Sequence, residues 1–83
     1  MDNRNANELT MGILWDLNVA KDTKRSWLTK RDFVVSRLDR AVKGTKEQSA
    51  AEAELAICEQ EIKSADQRIN ELTNQVQELI KID

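Results

Sequence analysis

A repeat of seven residues in the second half of the chain constrains the fold more than any other feature of the sequence. Apolar residues recur from Leu55 in steps of seven, and each is followed three residues later by another. The two rows are Leu55, Ile62, Ile69 and Val76, and Cys58, Ala65, Leu72 and Leu79. The residues between them are mostly polar or charged. Because spacings of three and four place all eight residues on one stripe of a helix, the repeat predicts a long coiled-coil helix over about 46–82.

The first half of the chain contains two shorter helical patterns. The first predicts a helix over about 8–20 and the second a helix over about 24–43. Their stripes are Leu9, Ile13, Leu17 and Ala20, and then Trp27, Leu28, Val34, Val35, Leu38, Ala41 and Val42. Asn18 and Asp22 favour caps and turns, so we expect a break between residues 18 and 23. One bent but continuous helix is the alternative.

A turn at residues 44–45 is the clearest boundary in the sequence. Gly44 follows a basic last turn, where helices often end on a glycine in the left-handed conformation. Thr45 can then cap the next helix, with Gln48 three residues later at capping-box spacing. A connection this short predicts that the next helix folds back antiparallel to the preceding one.

These patterns predict an all-α fold in a single domain spanning residues 1–83. The expected architecture is an antiparallel hairpin in which two shorter helices fold back on one long heptad helix. The chain has no Pro, two Gly and three aromatic residues, a composition typical of long helices. Because 83 residues can bury only a small core, we expect the hairpin to form a helical bundle by self-association.

The first predicted helix carries a second apolar stripe. Met11, Trp15 and Val19 recur every four residues, nearly opposite the stripe that begins at Leu9. A helix that is apolar on two sides is normally covered on both, although a wide core face with one exposed Trp is the alternative. We expect the following residues to form an interface with a second copy of the chain or with another protein: Met11, Trp15, Val19, Trp27, Phe33, Ile69, Leu72, Val76, Leu79 and Ile80.

Charge is distributed unevenly along the chain. Residues 21–46 carry nine Lys/Arg against three Asp, whereas residues 47–83 carry three Lys/Arg against nine Asp/Glu. We expect the basic and acidic helices to pair with each other, at roughly 0.2–1 kcal/mol for each ion pair. A nucleic-acid surface or a contact with another acidic partner is the alternative. It would use Lys24, Arg25, Lys30, Arg31, Arg37 and Arg40.

The sequence contains no recognisable catalytic constellation. It has no His, a single Cys, and neither a Gly-rich phosphate loop nor a nucleophile elbow. We therefore predict no catalytic, cofactor-binding or metal-binding residues. Cys58 lies in the heptad stripe, where it is expected to be a small buried residue, or else an interchain disulfide in a parallel homodimer. The lone Cys and the absence of a signal-peptide pattern or membrane-length apolar run predict a cytoplasmic protein.

The function that fits this sequence is a non-enzymatic interaction module. It would be a small adaptor, chaperone or inhibitor that self-associates as a homodimer or higher oligomer and binds a protein partner through an apolar helical surface. Binding of nucleic acid through the basic face of residues 21–46 is the alternative function.

Overall fold

The fold is an antiparallel hairpin of two long helices. The computed structural model describes the backbone of residues 3–81 and the side chains of residues 7–80. Within that range α1 is Asn3–Arg40 and α2 is Lys46–Lys81, with no strand among the described residues. The hairpin measures 64 × 14 × 13 Å. The prediction of an all-helical hairpin is confirmed.

The two short helices predicted for the first half of the chain are one helix. No break occurs between residues 18 and 23, and α1 runs through them for 38 residues. It begins at Asn3, five residues before the predicted start at 8, and ends at Arg40 rather than at 43. The continuous helix, the alternative interpretation, is therefore correct. α2 begins at the predicted residue 46, and residue 82, its predicted end, lies outside the described residues.

Continuity of α1 follows from a seam of side chains that contacts α2 from Thr10 to Leu38. Spacings of three and four connect the two apolar stripes through Lys24 and Arg31, which are both half-buried. The seam residues of α1 are Thr10, Ile13, Leu17, Ala20, Lys24, Trp27, Arg31, Val34 and Leu38, and Ala41 continues the seam just after the helix ends. Lys and Arg can occupy such positions because their aliphatic stems cover apolar surface while their charged ends reach water. A break would have interrupted this register.

The predicted heptad rows of α2 form the facing seam. The Cys58, Ala65 and Leu72 row is buried and extends back to Ala51, whereas Leu79 at its end is half-buried. The row of Leu55, Ile62, Ile69 and Val76 is half-buried beside it. Within the described residues α1 therefore covers α2 from the turn to Leu79, including the segment after residue 67 that a helix of only 24–43 would leave bare.

The tightest part of the core lies near the turn. Val34, Ala51 and Cys58 are each 1% exposed or less, and Trp27, Leu38 and Leu55 pack against them. The buried α2 residues of this cluster, Ala51 and Cys58, are small, whereas α1 contributes the larger Val34, Trp27 and Leu38. Cys58 is therefore buried against α1 of its own chain. This placement corrects the alternative in which it faces Cys58 of a parallel partner.

The connection between the helices has the predicted left-handed Gly44 and the predicted Thr45 cap, but the Gln48 side chain bonds to the N–H of Gly44 rather than to that of Thr45. Gly44 has a φ of +82°, which is the left-handed conformation. Thr45 Oγ1 accepts a hydrogen bond from the backbone N–H of Gln48 at 3.3 Å and donates one to the Val42 carbonyl at 2.6 Å. The Gln48 side chain accepts one from the Gly44 N–H at 2.8 Å. These bonds satisfy backbone groups that a helix end leaves without partners.

Gly44→Val is expected to lower the free energy of unfolding by about 1–2 kcal/mol or more, because a β-branched residue is strained at positive φ. Space is not the reason, since nothing lies within 4 Å of a Cβ added there. Urea unfolding followed by circular dichroism measures the loss.

The matched control for this position is Gly44→Asn, because Asn tolerates the left-handed region. It should lose clearly less stability than the Val variant. Equal losses would show that contacts of the side chain, rather than φ, determine the effect.

Candidate interaction surface

The open end of the hairpin, where α1 begins and α2 ends, has an exposed apolar surface. We call this surface the open-end patch. It comprises Leu9, Met11, Leu14, Trp15 and Val19 of α1 and Ile80 of α2, which are between 40% and 71% exposed. Five of these six residues lie within residues 9–19 of α1, and exposed apolar residues concentrated in this way on a small protein usually mark an interaction site. The patch therefore is the strongest candidate for a functional surface among the described residues.

The stripe of Met11, Trp15 and Val19 is the centre of the open-end patch. Trp15 is 71% exposed and Met11 69%, because these residues lie on the side of α1 that faces away from α2. Meanwhile Ile13, Leu17 and Ala20 face α2. Residues 9–20 are thus apolar on both the covered and the open sides of the helix, as the sequence predicts.

Few charges surround the stripe. Between residues 7 and 20 the charged residues are Glu8 and Asp16, whereas the part of α1 nearer the turn is rich in Lys and Arg. Covering the stripe would therefore require little desolvation of charge, which is costly when charges are left without partners. Large Met and Trp side chains are also the types that contribute most to protein interfaces.

The other predicted interface residues lie in three different environments. Phe33 is 69% exposed, but it lies in the part of α1 nearer the turn, away from the open-end patch. Ile69, Val76 and Leu79 are half-buried along the seam. Leu72 is buried, and Trp27 is half-buried and packs against the core of its own chain. Neither belongs to the open-end patch.

Gly12 lies beside this stripe in the interior of a helix. Gly in such a position costs roughly 0.5–1 kcal/mol relative to Ala, because it loses more conformational freedom on folding. Its φ is not positive, and a Cβ built there meets nothing within 4 Å. Nothing within the hairpin therefore explains why this helical position is a glycine.

A shallow groove of about 320 Å³ lies on one side of the hairpin, next to the open-end patch. Its floor is formed by Ala20 and Ala65, small residues of the two facing seams. Its walls are formed by Asp16, Val19, Thr23, Glu61, Ser64 and Arg68. Val19 connects the groove to the stripe, so an occupant of the stripe can reach the groove.

Several basic side chains interact within the chain. Lys24 Nζ lies 2.6 Å from an oxygen of Asp66, and Arg37 Nη1 lies 2.8 Å from an oxygen of Glu54. These contacts connect α1 to α2, as the charge asymmetry predicts. Within α1, Arg25 lies 3.8 Å from Asp22, and the Lys30 ammonium lies 5.1 Å from the centre of the Trp27 ring.

Reversing the charge of Arg37 tests the pairing between the helices. Arg37→Glu should lower the free energy of unfolding by up to about 1 kcal/mol, since both side chains are substantially exposed. The loss should shrink at 1 M salt, where the screening length falls to about 3 Å. Adding Glu54→Arg should restore part of the stability. Failure of this second change to restore any would mean that the pair does not stabilise the hairpin.

The described residues contain no other recognisable chemical site. Among them, no group of three His, Cys, Asp or Glu side chains is placed to hold a metal ion. Within the same range, neither helix has a segment of the length and hydropathy needed to cross a membrane.

The comparisons with known proteins add no family to this picture. No protein-family model, curated protein or solved structure matches this chain.

Sequence reasoning missed the two charged seam residues of α1. Lys24 and Arg31 are not apolar, so they were absent from the predicted stripes. The spacing carries the signal that could have found them, because steps of three and four connect Ala20 to Trp27 through Lys24, and Trp27 to Val34 through Arg31. Because long cationic side chains can occupy seam positions, this spacing is compatible with one continuous helix.

Proposed function

We propose that this protein is a non-enzymatic interaction module, a small adaptor, chaperone or inhibitor that works through the open-end patch. The observation that carries the proposal is the exposure of Met11, Trp15 and Val19 on a helix whose opposite side is already packed. Apolar residues at that density on an open face bind other helices, because covering each one removes roughly 1.5–3 kcal/mol of unfavourable contact with water.

The proposal includes self-association and a coiled-coil seam. Continuous heptad spacing on both helices supports winding of α1 and α2 about each other. A hairpin only 14 Å by 13 Å in cross-section has a thin core, which favours growth into a bundle with further helices. We place the module in the cytoplasm, as the lone buried Cys favours.

Binding of nucleic acid is the second candidate function. It would use the basic residues of α1, most of which have exposed side chains. Two of them, Lys24 and Arg37, contact acidic residues of α2, and this pairing favours a role inside the hairpin. Retention on DNA or RNA that falls steeply with salt would favour the second function.

Photo-cross-linking in the cells that naturally produce the chain tests the first function. A photoreactive phenylalanine derivative at Trp15 should give protein adducts. The matched control places it at Phe33, which is equally exposed but outside the open-end patch. Adducts of equal yield at both positions, or at neither, would contradict the patch as the site of interaction.

A further inference from the structure

We propose that the stripe of Met11, Trp15 and Val19 binds the same stripe of a second copy of the chain, antiparallel and around a two-fold axis at Trp15. The inference rests on the proposed function and names the occupant of the open-end patch. In this arrangement Trp15 faces Trp15 of the partner, and Met11 of each chain faces the other chain's residue 19.

Self-complementarity of the stripe supports a second copy as the occupant. Its three residues are spaced four apart on either side of Trp15, so a two-fold axis there superposes apolar residue on apolar residue. A two-fold interface requires such a match, because each contact from residue i to residue j occurs twice. Rows spaced by four pack into each other at a crossing angle of about −50°, the commonest class of helix packing.

Gly12 supplies the second argument. Its position is unexplained by the hairpin, in which it has free space on its outer side. It lies beside Trp15 on the open face, where two crossing helices would approach most closely. Glycine is the residue that permits such close approach, because it has no Cβ.

Charge and size are consistent with this contact. At a crossing of about 50° the helices diverge, so contact is confined to roughly three turns around Trp15. Glu8 and Asp22, which would oppose each other across the axis, lie seven residues from Trp15 and beyond that contact. The covered area is on the order of 1,000 Å² in total, which is the lower end of specific interfaces. A reversible dimer is therefore expected rather than a permanent one.

Sedimentation equilibrium of the purified chain tests whether a second copy binds the stripe. The average mass should rise with concentration from that of the 9.5 kDa chain towards twice that value. Trp15→Ala should weaken dimerisation by about 30-fold or more, as expected for a central interface residue. Phe33→Ala, which removes an equally exposed aromatic ring elsewhere, should leave it unchanged.

The Gly12→Ala variant distinguishes an effect on the dimer interface from an effect on helix stability. In a chain that stays monomeric, Ala is the better helix former and simply raises the thermal midpoint. At a close crossing it also separates the two chains, so the dissociation constant should rise severalfold while the monomer becomes more stable. An unchanged dissociation constant would overturn the crossing at Gly12.

Disulfide trapping tests the two-fold geometry. Cysteines bridge only when their Cα atoms lie within about 7 Å, so Met11→Cys mixed with Val19→Cys should give a cross-linked dimer. Neither variant alone should do so, because each residue lies about 12 Å along the axis from its own copy. Cys58 is buried and stays out of the reaction while the chain is folded.

The outcomes separate the inference from the proposed function. Cross-linking within each single variant, with no cross-linked dimer that contains one copy of each variant in the mixture, would replace the antiparallel arrangement with a parallel one. A mass that stays at the single-chain value at all concentrations overturns the second copy as occupant. The proposed function then stands or falls separately on whether the photoreactive group at Trp15 captures a different protein.

Discussion

Leu72→Ala is expected to lower the free energy of unfolding by about 2–4 kcal/mol, one of the two largest effects predicted for this chain. Leu72 is 2% exposed and is among the largest fully buried side chains. Truncating it removes apolar contacts and leaves a cavity between two rigid helices that cannot collapse into it easily. Urea unfolding followed by circular dichroism at 222 nm measures the difference.

Two controls identify burial as the cause. Leu72→Met conserves most of the volume and should cost less than about 1.5 kcal/mol. Ile80→Ala removes a comparable aliphatic side chain that is 68% exposed, and should change the stability of the monomer by only about 0.5 kcal/mol. Similar losses at residues 72 and 80, measured at a concentration where the chain is monomeric, would contradict the packing of α2 against α1.

The sequence predicts α2 and the turn well because each depends on local chemistry. Four heptads of apolar residues between polar ones leave a single face that can pack, and in the structure the residues of that face are buried or half-buried. Gly44 is left-handed and Thr45 caps α2, since the geometry of a cap is set by residues close together in sequence. Such signals do not depend on the partner helix.

The continuity of α1 could not be read from apolar residues alone. Asn18 and Asp22 have weak helix propensities, which favoured a break. The facing helix outweighs them, because α2 offers a seam of matching length and Asp66 at a position where Lys24 can contact it. Propensities differ by only a few tenths of a kcal/mol per residue, whereas keeping the seam in register buries several large side chains.

The exposure of the stripe could be predicted from the sequence, whereas the positions of the other predicted interface residues could not. Met11, Trp15 and Val19 lie opposite the packed face by simple helical geometry, and all three are exposed. Trp27 and Leu72 are also large apolar residues, but they face the other helix of the hairpin. Composition alone does not separate an apolar residue that packs within the chain from one that packs outside it. The length of α1 makes this distinction for α2, because it determines which apolar residues of α2 are covered within the chain.

Thr23→Pro is expected to destabilise the protein by about 3 kcal/mol or more. Residue 23 lies in the interior of α1, where Pro removes the hydrogen bond from its N–H and its ring clashes with the carbonyl four residues earlier. The two-helix interpretation predicts the opposite result. If Asp22 capped a new helix, residue 23 would be its first position, where Pro is well tolerated. The free energy of unfolding therefore distinguishes one helix from two.

Thr23→Ala is the matched control for this experiment. The Thr23 side chain is exposed, so its removal loses little packing. Ala is a better helix former than Thr by up to about 0.7 kcal/mol, and the variant should be slightly more stable than the natural chain. The two substitutions at one position should thus act in opposite directions. A Pro variant that unfolds at the same urea concentration as the Ala variant would mean that α1 is interrupted near residue 22, and that each half packs on α2 separately.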